Sequence, residues 1–489
     1  MEPSRLALLR LSGEVSIKAP ATRRRFVARL QRNLRAALAS EGATGEVRAS
    51  RDRLFALLGG DVPAGVAALT RVFGLQSVSL AERRPVTALR DVVRAGEALF
   101  REAVRGRRFA VRARRVGARE RIAARPVEVE RDLGTALLPA AAGVDLGAPE
   151  VTAWVELFEG ETCFFSERLP APGGLPLGVE GSALALVSGG FDSAVAAWQM
   201  LRRGVALDYV FCNLGGRSHL QGVLRVVKVL ADRWSYGQRP RLHTLDFEGI
   251  EAQLQGRVER RYWQVVLKRL MLRAAELVAE ERGAAALVTG DAVGQVSSQT
   301  LQNLAVISRA AERPILRPLV GANKDEILAV ARRIGTFDLS KVVGEYCALV
   351  PRRPATAAKL EDVLAGEARL DPAWLRACVA ARRVFDLRGL GEEELSLPDL
   401  DLDEVPAGAT LVDLRSRAEF DGWHAPGALH LEFPQALRAW PSFDRAQRYL
   451  LTCEFGLKSA HLAELMRKGG FEAHHLRGGL RRLRRLYPD

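Results

Sequence analysis

With 489 residues, 48% of them hydrophobic and 27% charged, the chain is too long for one core and reads as a soluble globular protein of about three or four domains. No stretch approaches the roughly 18 apolar residues of a membrane span, and the first residues lead into an apolar run without the pattern of a secretory leader, so a cytoplasmic location and no membrane partner are expected. The net charge of +14 is uneven: residues 81–131 carry fifteen arginines against seven acids, a bias toward polyanions that an arginine-rich genome would also produce.

In chain order, residues 6–11 predict a strand, 22–38 a helix and 53–58 a strand, a small α+β module. Residues 62–72 and 89–104 predict helices, 109–115 an arginine-laden strand and 151–158 a further strand. Alternation in 109–115 sets Arg112 and Arg114 on one face and Phe109, Val111 and Ala113 on the other, so one face can pack while the other meets phosphates. A Pro/Gly-rich stretch at 169–178 marks a boundary. Beyond it, apolar strands at 183–187, 207–211, 242–245 and 285–288 alternate with helices, as in a parallel sheet covered on both faces. Residues 385–405 turn acidic and Leu/Pro/Gly-rich and predict a linker; 406–489 form a last α/β unit.

The most specific motif is Ser188-Gly189-Gly190-Phe191-Asp192-Ser193, between a strand and a helix over 193–201. Glycines let the backbone approach phosphates, the hydroxyls of Ser188 and Ser193 can bond them, and the helix N-terminus supplies N–H groups and positive potential. It lacks the Gly-Lys-Ser/Thr ending of a Walker loop. Lys268 can neutralise phosphate charge or be a solvated helix lysine; Asp192 can serve Mg²⁺, orient a phosphate-bound group, or complement the helix dipole.

The five cysteines, Cys163, Cys212, Cys347, Cys378 and Cys453, show no Cys-x-x-Cys pair and no histidine at zinc-ligand spacing, so neither a metal site nor a disulfide scaffold is indicated. Cys163 and Cys378 read as core. Cys453 opens the loop Cys453-Glu454-Phe455-Gly456-Leu457-Lys458-Ser459 between a strand and a helix; backbone N–H groups, a helix N-terminus and Lys458 favour a thiolate there and can stabilise a persulfide.

The first loop resembles the PP-loop of N-type ATP pyrophosphatases, which adenylate a carbonyl oxygen. With Phe211-Cys212-Asn213-Leu214-Gly215-Gly216, the run Val288-Thr289-Gly290-Asp291-Ala292-Val293-Gly294-Gln295 continuing to Gln299, and Leu316-Arg317-Pro318-Leu319, the chain resembles the tRNA 4-thiouridine synthetase family along its whole length. Residues 411–415 and 419–428 with the Cys453 loop are similar to rhodanese domains, with Lys458 where many have arginine. The resemblance implies an α/β multidomain fold: a ferredoxin-like domain at 1–60, a THUMP tRNA-binding domain at 61–168, a parallel-sheet PP-loop domain at 179–384, an acidic linker at 385–405 and a rhodanese domain at 406–489.

It further implies ATP contacts at Leu186, Val187, Ser188, Gly189, Gly190, Asp192, Ser193, Phe211, Cys212, Lys268, Gly290 and Gln299, with Asp192 among the catalytic groups and no metal beyond the Mg²⁺ carried by ATP. Cys453 would carry the persulfide and Cys347 would be its disulfide partner. Arg112, Arg114 and Arg115 are candidates for tRNA. The implied reaction is ATP-dependent thiolation of the tRNA uridine at position eight, with sulfur from a cysteine desulfurase, a reductant for the disulfide, a thiamine thiazole role through a sulfur-carrier protein, and a homodimer. The alternatives are a protein-to-protein sulfur carrier with a vestigial PP-loop domain, a tRNA-binding module, or the same ATP chemistry on another carbonyl.

Overall fold

The computed structural model describes residues 5–50, 53–117, 122, 124–343, 353–391, 393–396, 399–454 and 456–488. They form two compact units, the first from Met1–Glu180 with Leu201–Val205 and Tyr236–Gln238, the second from Gly181–Met200, Ala206–Ser235 and Arg239–Asp489.

The strands of the first unit are β1 (Arg5–Leu11), β2 (Ala43–Ser50), β3 (Arg53–Gly60), β4 (Leu75–Leu80), β5 (Glu82–Arg84), β6 (Arg108–Arg115), β7 (Gly143–Val144), β8 (Val151–Leu157), β9 (Thr162–Phe165) and β10 (Leu169–Pro170). One sheet has the order β10-β4-β1-β3-β2, so it continues past residue 60. The helix Pro20–Ser40, with proline at its first turn where no amide partner is lost, lays Phe26, Leu30, Leu34 and Leu38 at i, i+4 spacing into this sheet's core. A second sheet runs β5-β9-β8-β6-β7, and its core joins Val92 and Phe100 to Phe109, Leu133 and Phe164. Glu156 on β8 joins the two sheets: its carboxylate accepts from Arg10 Nε of β1 at 2.8 Å and Arg53 Nε of β3 at 2.9 Å. Burial opposes that charge, but the two arginines win and hold the carboxyl below its usual range.

The strand Arg108–Arg115 forms as the alternation predicts, with Phe109 and Val111 buried. Its arginines do not share one environment. Arg114 is exposed, whereas Arg112 and Arg115 are half-buried and donate to the carbonyls of Leu146 and Ala124.

In the second unit β11 (Ser182–Leu186), β12 (Ala206–Asn213), β13 (Arg241–Asp246), β14 (Ala286–Val288), β15 (Ile315–Leu316) and β16 (Arg383–Asp386) give the order β15-β14-β11-β12-β13-β16. All pairs are parallel except β13 with β16. The chain proceeds from β11 outward through β12 to β13 and then crosses to β14 on the other side of β11. That reversal opens a crevice at the carboxyl ends of β11 and β14, the place where ligands bind in such sheets. A last sheet, β17 (Asp401–Leu402), β18 (Thr410–Asp413), β19 (Leu429–His430), β20 (Arg448–Thr452) and β21 (Glu472–Leu476), is parallel throughout in the order β17-β21-β20-β18-β19.

The expected linker at 385–405 departs from the reading. Its first residues belong to β16, Asp401 and Leu402 to β17, and Leu387, Leu390 and Leu400 are buried. The acids drew the linker assignment, but the leucines between them decide the outcome by burying apolar surface. Leu395 O accepts hydrogen bonds from Gln221 and Arg225, and Arg217 makes a bidentate pair with Asp399 at 2.8 and 2.9 Å.

Candidate active site

The loop after β11 sits at the crevice. Gly189 has φ 79° and no space for a side chain, since a Cβ there would lie 2.7 Å from Val343 Cγ1. The serines expected to face phosphates also bond within the loop: Ser193 Oγ donates to Gly190 O at 3.1 Å and accepts from Ser188 N at 3.3 Å, and Ser188 Oγ accepts from Gly190 N at 3.4 Å, which leaves the Ser188 hydroxyl a proton to donate. These bonds hold the turn open ahead of the helix Phe191–Arg202. Asp192, in the first turn, accepts from Lys324 Nζ at 2.9 and 3.1 Å and from Gln295 Nε2 at 3.0 Å.

Gly290 follows β14 and meets the same loop. A Cβ on it would lie 2.7 Å from both Asp192 C and Ser193 N, so the close approach its position predicts is to the loop's own backbone. The next residue, Asp291, is a hub. It accepts from Lys268 Nζ at 3.0 Å, Gln299 Nε2 at 3.2 Å, Thr289 Oγ1 at 2.8 Å and Arg317 Nε at 3.3 Å. Burial alone would raise its pKa, yet Lys268, the hydrogen bonds and Arg317 lower it to about 2. Gln299 Oε1 is buried without a hydrogen-bond partner among the described residues, an acceptor available to a donor such as an exocyclic amine.

Phe211 lies edge-on to His219 at 4.8 Å, and His219 Nε2 lies 3.4 Å from Ser188 O; burial pushes that imidazole down to about 3, so it is neutral and donates to the carbonyl. Leu186 closes β11 and Val187 N donates to Val210 O at 2.9 Å. Cys212 is buried, and burial pushes its thiol up, as an inert core cysteine requires.

The second loop follows β20. Cys453 is 4% exposed; Gly456 N donates to its Sγ at 3.1 Å and Ser459 Oγ lies 3.4 Å away. Gly456, at φ 92°, turns the chain into the helix Leu457–Lys468. Leu480 N donates to Cys453 O at 3.0 Å, and a Cβ on Gly479 would lie 2.4 Å from that oxygen, so Gly479 lets the last helix cap the loop from behind. Lys458 is exposed and its Nζ lies 5.9 Å over the Phe433 ring. Near the loop Arg415 clasps the buried Asp413 and donates to Trp423 O at 2.7 Å, fixing the turn after β18.

Val343 connects the two loops: it reaches Gly189, and its Cγ2 lies 2.9 Å from a Cβ built on Gly222, against which Leu457 Cδ1 also packs at 3.5 Å. Cys347 lies outside the described residues, as does Phe455. Asp291, Lys324, Gln295, Thr289 and Arg317 carry the site's electrostatics without having been singled out in the sequence. Asp291 was detectable as the acid following the strand-end Thr289-Gly290, and Lys324 as the first residue of a helix that opens at Asn323. A cavity of about 790 Å³ lined by Arg273, Glu276, Glu367 and Trp374 contains none of the predicted site residues. Among the described residues no group of three or more His, Cys, Asp or Glu could hold a metal, and no helix is long and apolar enough to cross a membrane.

Comparison with known proteins places these loops in context. Residues 178–371 match the model of ThiI, the thiamine biosynthesis protein, 6–79 the ThiI ferredoxin-like domain, and 400–485 the rhodanese-like domain. The tRNA sulfurtransferase of Pyrobaculum aerophilum is 38% identical over 470 residues, 95% of each chain. That of Thermoplasma acidophilum is 34% identical over 463 residues, 94% of this chain and 93% of its own. A crystal structure of a 4-thiouridine synthetase–RNA complex with bound ATP superposes with a TM-score of 0.68 at 29% identity, covering 78% of this chain and 99% of that one. The ferredoxin-like start, the central parallel sheet and the rhodanese end are thus shared with known proteins.

Proposed function

The chain belongs to the tRNA sulfurtransferase family, and on that premise we propose that it is an ATP-dependent enzyme that thiolates a tRNA uridine, at position eight, to 4-thiouridine. The observation that supports this reading is a Cys453 whose Sγ accepts from the Gly456 amide, in the same compact unit as a glycine loop that leads from a strand end into a helix. Gly189, Gly190 and the helix N-terminus would hold the phosphates, with Lys268 and Lys324 nearby as cations and Gln299 Oε1 as an acceptor for the base. ATP, entering with Mg²⁺, would give its AMP to the uracil O4, the α–β phosphate bond breaking and pyrophosphate departing. Leu186, Val187, Phe211 and Cys212 would wall that site, and Asp192 would orient the phosphate-bound groups.

Cys453 takes a sulfane sulfur from a cysteine desulfurase and holds it as a persulfide facing the Gly456 amide. The terminal sulfur forms the new bond to C4 as the C4–O4 bond breaks and AMP departs. Cys347 then attacks Cys453 Sγ, the bond between Cys453 and the transferred sulfur breaks, and thiouridine leaves. The Cys347–Cys453 disulfide is reopened by two electrons from a dithiol reductant. The first unit, a ferredoxin-like domain that reaches past residue 60 to take in β4 and a THUMP domain after it, would bind tRNA with Arg112, Arg114 and Arg115 on its second sheet; 179–384 would be the adenylating domain and 406–489 the sulfur carrier, within a homodimer. The persulfide would also feed thiamine thiazole synthesis through a sulfur-carrier protein.

The test is retardation of unmodified tRNA in a mercury-containing gel after incubation with ATP, Mg²⁺, cysteine and a cysteine desulfurase. The natural chain should retard the tRNA and Cys453→Ser should not. No retardation by either, with persulfide confirmed on Cys453, would move the protein-to-protein sulfur carrier into first place.

A further inference from the structure

The helix Leu457–Lys468, which begins at the Cys453 loop, ends against the amino terminus of another helix, Gly216–Trp234, which begins where β12 ends. Glu464, with its side chain only 7% exposed, accepts from the backbone amides of Arg217 at 2.9 Å and Ser218 at 3.0 Å. Those are two of the amides a helix leaves without intrahelical partners, at its positive end. One turn earlier, His461 Nδ1 lies 3.1 Å from Gly215 O; burial lowers its pKa, so a neutral ring donates to that carbonyl. Gly216, at φ 72°, makes room for the carboxylate, because a Cβ there would lie 2.7 Å from Glu464 Oε1. Charge pairs ring this contact: Arg217–Asp399 at 2.8 Å, Lys468–Glu248 at 3.2 Å and Lys341–Glu454 at 3.3 Å.

We propose that Glu464 is a docking latch, a positioning residue that seats the Cys453 loop against the ATP domain by capping the helix that follows β12. The inference rests on the sulfur-transfer reading above and adds a residue to it. A surface salt bridge contributes little, but a buried carboxylate receiving two main-chain N–H bonds fixes direction as well as distance. Only one registration of the two domains sets Glu464 on Arg217 and Ser218 and at the same time Leu457 on Gly222. Cys453 itself is buried by its own domain, among Val412, Leu451 and Ala460, so the latch sets where the loop sits and leaves the cover of the thiol unchanged.

The test uses the full chain and two sulfur sources. Natural chain, Glu464→Ala, Arg217→Glu and the charge swap Arg217→Glu/Asp399→Arg are each compared in single-turnover thiolation from preloaded Cys453 persulfide and from free sulfide, which needs no docking. Loss of two charge-assisted bonds should slow persulfide-dependent thiolation in Glu464→Ala by about tenfold or more. Sulfide-dependent thiolation should stay within about twofold, loading of Cys453 should be unchanged, and the charge swap should recover part of the Arg217→Glu loss. Equal slowing with both sources, or no slowing with persulfide, overturns the latch. Amide exchange at Arg217 and Ser218 decides docking independently of turnover: protection in the natural chain that Glu464→Ala loses supports it, and identical exchange overturns it. A natural chain that thiolates with neither source overturns the functional reading instead, and the exchange result still stands.

Discussion

At Gly290 a methyl group would have to enter space held by the backbone of Asp192 and Ser193, atoms that cannot rotate away. Gly290→Ala should cost about 1–3 kcal/mol of stability and weaken ATP binding by about tenfold, read by urea unfolding and nucleotide titration. Its neighbour Asp291 makes a pH prediction. The carboxyl titrates at about 2 in the folded protein, against roughly 3.9 unfolded, so the stabilisation is full above the unfolded value and is lost as pH falls from about 4 toward 2. That difference corresponds to about 2–3 kcal/mol, so Asp291→Asn should be less stable at pH 7 by roughly that amount, with the gap closing on acidification. Denaturant midpoints of the two proteins across that range check it, and a constant gap would sink the idea. The sequence made Gly189, Gly290 and the Cys453 loop legible because their constraints are local. Asp291 could be placed at a strand end, but its role as a hub could not be read, because its partners Lys268, Gln299 and Arg317 are scattered along the chain and only the fold assembles them.

Strands and helices carry a different kind of dependence. β8 is held to β1 and β3 through one acid, so Glu156→Ala leaves Arg10 and Arg53 as uncompensated buried charges and should cost about 3–5 kcal/mol. Replacing all three by apolar residues of similar volume should recover most of that loss, measured by chemical unfolding. Strands with apolar alternation were readable, but β2 was missed: its sequence is largely polar and only Ala43 and Val47 are buried, as suits an edge strand. The helix Gly479–Leu486 was also missed, because Gly478-Gly479 reads as a turn and its buried Leu483 is surrounded by arginines. Contacts between elements, such as Glu464 with the amides of Arg217 and Ser218, leave no trace in local pattern at all.

Across the whole molecule the charge of +14 governs encounters with a polyanion. tRNA binding should weaken by about tenfold or more between roughly 50 and 200 mM salt, and Arg114→Glu should lower the slope of that dependence by about one. A slope near zero, measured by filter binding, would argue that the arginines of residues 81–131 serve the surface and not the substrate. β16 sets a further condition at this scale. Antiparallel to β13 from Arg241 to Thr244, it covers the edge of the central sheet with residues that stand in the chain between the central sheet and the rhodanese-like end. The two parts therefore cannot be separated at any convenient point: a fragment ending before Arg383 bares the row of amides and carbonyls on β13 and would pair with its own copies, while one ending after Leu390 keeps its hem. The stretch that leaves both sheets hemmed lies between Leu390 and Leu400, and because both leucines are buried, even a cut there bares apolar surface on each side.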